Sequence, residues 1–167
     1  MNDCKHNVNL LNKDVYDDIS KSGIPYEVVE CKEEYADTYL FCEKYEYPIE
    51  YCANTILLSS KKPPDYYVAC VLQGNKKLDV NNKVRKLMNS SKVSFASHEE
   101  TVSLTNMKSG GVTIFGLPKS IDVYVDSEIM NNPYLIFGSG NRNCKIKIEP
   151  NYLNQIPNIK SIENITK

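Results

Sequence analysis

The sequence predicts a single α/β domain, on three observations. Segments of helical period alternate with short β-rich runs along the whole chain. Glycine and proline mark most of the junctions between them. A length of 167 residues fits the usual size of one domain, and no second is needed.

The elements follow in order. Val8, Leu10, Leu11, Val15 and Ile19 are spaced for an amphipathic helix over residues 8–22, which Gly23 stops and Pro25 follows. Residues 26–31 read as a strand. Residues 33–45 read as a second helix that turns Tyr35, Thr38, Tyr39 and Cys42 to one face and ends at Pro48. The β-rich runs 52–59 and 66–72 make a hairpin, because the loop between them holds Pro63 and Pro64, which cannot sit inside a ladder. Asp79 is placed to cap a helix over 80–88. Ser97 with Glu100 three residues on forms a capping box that starts a helix reaching Leu104, so His98 is expected in its exposed first turn. Strands are expected at 121–126, 134–137 and 144–148, with a last helical turn at 152–156. One domain over residues 1–157 is expected, with 158–167 as a loosely held tail.

Composition excludes several functions. At 41% hydrophobic and 25% charged the chain is ordinary for a folded domain. Its longest apolar stretches are far short of the ~20 residues of a membrane-spanning helix. The polar start, Met1 to His6, lacks the apolar core of a secretory signal, so a cytoplasmic location is expected. Cys4, Cys31, Cys42, Cys52, Cys70 and Cys144 form no Cys-x-x-Cys pair, and His6 and His98 are the two histidines. No metal site is expected, and the thiols are expected free and mostly buried. The net charge of −1 hides an asymmetry. Residues 14–50 hold eleven acids against three lysines, whereas 61–92 hold eight Lys and Arg against Asp65 and Asp79. Lys83, Arg85 and Lys86 in that basic stretch are candidates for a nucleic-acid backbone, with a solvated helix face as the alternative.

Two glycine clusters carry the chemical signal. Gly110-Gly111 and Gly138-x-Gly140 do not fit a Walker loop or a dinucleotide-binding turn, so no nucleotide cofactor is expected. Backbone N–H groups at such bends can stabilise a carbonyl oxygen as it gains charge, which suits ester hydrolysis.

The pieces Ala53-Asn54-Thr55-Ile56-Leu57-Leu58, Leu78-Asp79, residues 92–100, Gly110-Gly111-Val112-Thr113-Ile114-Phe115-Gly116-Leu117-Pro118, Val123-Tyr124-Val125-Asp126 and Gly138-Ser139-Gly140-Asn141-Arg142 stand in an order that resembles the YbaK/prolyl-tRNA editing-associated family. The resemblance covers about two thirds of the chain. It implies a mixed, largely antiparallel sheet with flanking helices. It also implies a pocket for the aminoacyl end of a mischarged tRNA, whose ester is hydrolysed without metal, nucleotide or other cofactor. Two positions depart from the family: Asn54 stands where a lysine is usual, and Ile114 where proline is expected in the glycine loop.

On this resemblance Asn54, Gly110 and Gly111 are the catalytic candidates. Asn54 would hold the α-amino or carbonyl group, and a terminal ribose hydroxyl would orient the water. Thr113, Gly116, Asp126, Gly138, Ser139, Gly140 and Asn141 are candidates for lining the substrate pocket. Arg142 joins Lys83, Arg85 and Lys86 as a tRNA contact. The expected partner is mischarged tRNA of a tRNA(Pro) type carrying a small amino acid, with a synthetase as a second partner and neither membrane nor DNA. A catalytically silent module that docks on tRNA or a synthetase, and an editing domain detached from prolyl-tRNA synthetase, are the alternatives.

Overall fold

The computed structural model describes residues 7–61 and 65–167. Cys4 and His6, and Lys62, Pro63 and Pro64 of the hairpin loop, lie outside the described residues. The predicted first helix is divided. A 3-10 turn, Val8–Leu10, precedes α1 (Lys13–Ser22), because the Asn12 side chain accepts from Asp14 N and Val15 N and so starts a new helix at that point. Gly23 ends it in the left-handed conformation. After β1 (Glu27–Glu30), Asp37 caps α2 (Thr38–Tyr45), which cuts the predicted 33–45 helix in the same way. The buried face of α2 is Phe41 and Cys42, and Tyr39 points outward, contrary to the helical face expected from sequence.

The hairpin forms as β2 (Cys52–Ser60) and β3 (Tyr67–Gln73), in register from Ala53↔Gln73 to Ser59↔Tyr67. Asp79 caps a wide turn over Val80–Val84 that runs on into the short α3 (Arg85–Leu87). β4 (Val93–Phe95) is a strand that sequence reasoning missed. Both bonds of the Ser97–Glu100 capping box are present at the start of α4 (His98–Thr105). β5 (Asp122–Asp126), β6 (Leu135–Gly138), β7 (Cys144–Ile148) and β8 (Ile159–Ile162) complete the chain.

The eight strands form one mixed sheet in the order β1-β7-β6-β2-β3-β5-β8, with β4 joined to β2. Strand β8 corrects the expectation of a loose tail. It pairs in parallel with β5, Ile165 is fully buried, and Ile165 O accepts from Asp79 N. The tail covers an edge that would otherwise leave backbone donors and acceptors unpaired.

Alternation along the strands divides the apolar residues between two faces. One face carries Leu57, Val71, Val123, Phe137 and Ile146 and packs against Val15 and Ile19 of α1. The opposite face has two covers. Phe41 and Cys42 of α2 lie over Cys52 and Ile136, while Val84, Met88 and Ile165 lie over Leu58, Val68, Cys70 and Leu72. The strip between these covers passes along Asn54 and Ile56, both part-exposed.

Candidate active site

Strand β2 has β3 on one edge and two different partners on the other. It pairs with β6 at Cys52↔Ile136 and Ala53↔Phe137, and with β4 from Leu58↔Phe95 to Ser60↔Val93. Residues 54–57 lie in the gap between those ladders. Cys52 O accepts from Gly74 N and Ser60 N donates to Tyr66 O, so even-numbered residues of β2 direct their main chain at β3 and its extension. The main-chain groups of Thr55 therefore face the gap. A cavity of ≈ 230 Å³ opens there. Its floor is β2 and β6, α2 supplies Thr38 and Phe41, and Gly110 and Val112 close it from above.

Three residues that carry unspent donors line this space. The side chain of Asn54, a lining residue, accepts from Thr38 Oγ1 at 2.9 Å through its carbonyl oxygen, which leaves its amide NH₂ without an acceptor among the described residues. Among the described residues the N–H of Gly110 has no acceptor. The third donor is Lys145, which sequence reasoning missed. It projects from β7 beside Gly138, is 7% exposed, and lines the cavity. Its Nζ donates to Ala36 O at 2.7 Å and stands 5.5 Å from the Phe41 ring centroid. No carboxylate of the described residues lies within ion-pair distance of it. Burial pulls this ammonium below the ordinary lysine value, opposed by the nearby thiols Cys31, Cys52 and Cys42. Thr55 also lines the cavity, and its buried hydroxyl has no partner among the described residues.

The expected site residues separate sharply on inspection. Asn54, Gly110 and Gly138 meet at the cavity, so the two glycine bends and the residue after Ala53 do border one space. The remaining glycine-loop candidates are engaged elsewhere. Gly111 N donates to Lys108 O, and Gly140 N to Gly111 O at 2.7 Å, so neither N–H is free to act as an oxyanion donor. Gly116 is a packing position against α1: its N–H donates to Asp18 Oδ2, and a Cβ would lie 2.9 Å from the Asp14 carbonyl carbon. Ser139 donates to Cys144 O, and Asn141 Nδ2 to Leu10 O, so both side chains tie the second bend to its neighbours. Thr113 is fully buried away from the lining, and Ile114 belongs to the core, so the position where proline was expected serves packing.

Asp126 is likewise not a lining residue. It is 1% exposed, its Oδ1 accepts from Glu128 N, and β3 stands between it and β2. Burial raises its carboxyl above the ordinary aspartate value, and Oδ2 has no partner among the described residues. Arg142 donates to Ser109 O and Glu33 O, and its guanidinium lies against Gly110. It clamps the loop over the cavity instead of reaching outward to phosphate. Lys83 and Lys86 are exposed, while Arg85 turns back to Asn81 O. Nothing in a strict alternation singles out Lys145: Cys144, Ile146 and Ile148 mark one buried face, and the lysines between them read as solvent-facing.

A model of the aminoacyl-tRNA editing domain matches residues 33–156. Among solved structures, a hypothetical protein superposes with a TM-score of 0.82 at 19% identity, over 93% of this chain and 100% of that one. A protein described as a trans-editing enzyme for prolyl tRNA synthetase superposes at 0.80 with 17% identity, over 94% and 98%. A protein from Marinobacter aquaeolei VT8 described as acting in signal transduction superposes at 0.64 with 12% identity, over 93% of this chain and 30% of that one. No curated protein matches the chain. At such identities these likenesses bear on the fold alone, and the fold is the one expected from sequence. Among the described residues no helix is long and apolar enough to cross a membrane.

Proposed function

The chain belongs to the aminoacyl-tRNA editing domain family, and from that premise we propose that its cavity hydrolyses the ester of a mischarged aminoacyl-tRNA in trans. The observation that carries this reading is the meeting of Asn54, Gly110 and Lys145 at one cavity whose lining holds no carboxylate and no imidazole. Donors without a base suit a reaction whose main need is to stabilise an oxyanion. Water adds to the ester carbonyl, and the carbonyl oxygen takes up negative charge against Lys145 Nζ and the Gly110 N–H. The intermediate then expels the ribose oxygen, which receives the proton that the water gives up. A neighbouring ribose hydroxyl of the substrate orients the water and relays that proton, so no side chain need act as a base. Asn54, held by Thr38, positions the substrate's amino or carbonyl group.

A volume of ≈ 230 Å³ is below the roughly 300–1,000 Å³ of pockets for drug-sized ligands. It supports a small cargo such as alanine, serine or threonine, with the adenosine left outside. The fold shared with a protein described as a trans-editing enzyme for prolyl tRNA synthetase supports a tRNA(Pro)-type substrate and the synthetase as a second partner. Such an enzyme would work in the cytoplasm beside translation. Lys83 and Lys86 remain candidates for the tRNA backbone. Gly138 allows the close approach of loop to strand that forms the wall, since a Cβ there would lie 2.6 Å from Val112 O.

The test is deacylation of a panel of mischarged tRNAs followed by loss of the aminoacyl ester. Hydrolysis of one small cargo well above the buffer blank is expected, and Asn54→Ala should lower it about tenfold. Ester loss at the blank rate for every cargo would reject the enzyme and leave a silent tRNA- or synthetase-binding module.

A further inference from the structure

Beyond the cavity, the uncovered strip of the sheet continues into a second hollow of ≈ 470 Å³. The side chain of Ile56 lines both, so the two spaces are neighbours along β2. The second hollow has a different character. Leu78, Val80 and Val93 give it an apolar base, and Lys76 and Lys77, both exposed, also line it. Phe95 lines it and is 58% exposed. Asp and Glu are absent from the lining. The turn that carries Val80 and Asn81 into the hollow continues into exposed Lys83 and Lys86, which extends the positive field outward.

An exposed aromatic ring on an apolar floor, edged by lysines and with no Asp or Glu side chain in its lining, matches single-stranded nucleic acid. Bases stack on the ring while phosphates meet the ammonium groups. A protein partner's apolar segment would use the floor but has no need of the unpaired lysines. We infer that this hollow holds the single-stranded 3′ end of the substrate tRNA, with a base stacked on Phe95 and phosphates on Lys76 and Lys77. The inference rests on the ester-hydrolysis reading, because it is the neighbouring cavity that gives the strand its direction: the last nucleotide passes Ile56 and delivers its acyl group to Asn54 and Lys145.

Two measurements test this separately from the cavity. Fluorescence anisotropy with a short single-stranded RNA ending in CCA reads the hollow alone. Phe95→Ala should weaken binding about tenfold, as loss of one stacked base does. Lys76→Ala combined with Lys77→Ala should reduce the steepness of log K against log salt by about 1.4. Deacylation kinetics then compare aminoacyl-tRNA with aminoacyl-adenosine, which lacks the strand. The hollow variants should raise KM about tenfold for the tRNA and leave the adenosine ester unchanged, whereas Asn54→Ala should impair both. The side chains of Phe95, Lys76 and Lys77 are exposed, and circular dichroism melts check that the fold is kept. RNA affinity and KM that stay at the wild-type values in every hollow variant would overturn the inference while leaving the cavity reading intact. RNA binding that depends on Phe95, with no ester hydrolysed at all, would uphold the hollow and discard the cavity reading.

Discussion

The acyl cavity and the glycine seal beside it are built from the same kinds of residue, yet they differ in what their polar atoms are left to do. In the seal, formed by residues 109–118 and 138–142, Ser139, Asn141, Arg142 and the N–H groups of Gly111, Gly116 and Gly140 all find protein acceptors. In the cavity, the Asn54 amide group, the Gly110 N–H and two of the three Lys145 protons have no acceptor among the described residues. Buried polar groups are ordinarily satisfied, so the unspent donors that line the cavity are open to a ligand, whereas Thr113 Oγ1 in the seal and Asp126 Oδ2 lack a partner among the described residues without lining it. Glycine there is a weak guide, since the same residue serves a close backbone approach in both regions.

The largest effect that would separate the two regions is expected at Lys145. Lys145→Met should lower deacylation on the order of 10²–10³-fold, the usual consequence of losing an oxyanion donor. Thermal melting should hold or rise, because the substitution removes a buried cation that has no carboxylate partner. Since burial lowers the Lys145 value, turnover corrected for spontaneous hydrolysis should also decline with rising pH below the ordinary lysine value of 10.5. Lys145→Arg should remove that decline. Activity that survives Lys145→Met would transfer the residue to the structural side of the comparison.

In the seal the expected loss is of stability. Gly116 has φ +78° and its Cβ position is occupied by the backbone of α1, so Gly116→Ala should reduce unfolding free energy by about 2 kcal/mol in denaturant titration. A folded Gly116→Ala protein should retain its turnover, because Gly116 does not line the cavity.

The smallest effect concerns Asp126, a buried polar group in neither region. Its carboxyl is raised above 3.8, so the folded state holds the proton more tightly than the unfolded chain does. Stability from this group is therefore complete below pH 3.8 and declines as pH rises through the folded value. Asp126→Asn keeps the Oδ1 acceptor for Glu128 N and removes the charge, and should gain about 1 kcal/mol near neutral pH. The gain should vanish in acid, and a constant difference across pH would mean that the titration of Asp126 is not its cause.

Much of the fold was legible in the sequence wherever the cause lay within a few residues. The Ser97–Glu100 capping box, the Asp79 cap, the stop at Gly23 and the β2–β3 hairpin all depend on side chains that reach no further than the next turn. Asn12 and Asp37 show the limit of that reading, since their caps divide helices whose apolar spacing suggested continuity. At the site, the structure places Asn54, Gly110 and Gly138, three of the residues singled out in the sequence, on one cavity, but packing denies Gly116, Ser139 and Asn141 that position.

By itself the sequence determined the local starts and stops, the alternation of the strands and the membership of the family, because these are properties of neighbouring residues and of their order. Tertiary structure decided that the final segment becomes β8, since its partner β5 lies some thirty-five residues earlier. It also decided that Lys145 is a buried cation. Period-two alternation tells which face of a strand a side chain takes, and only the placement of α2 above that face determines whether the side chain meets water or a cavity.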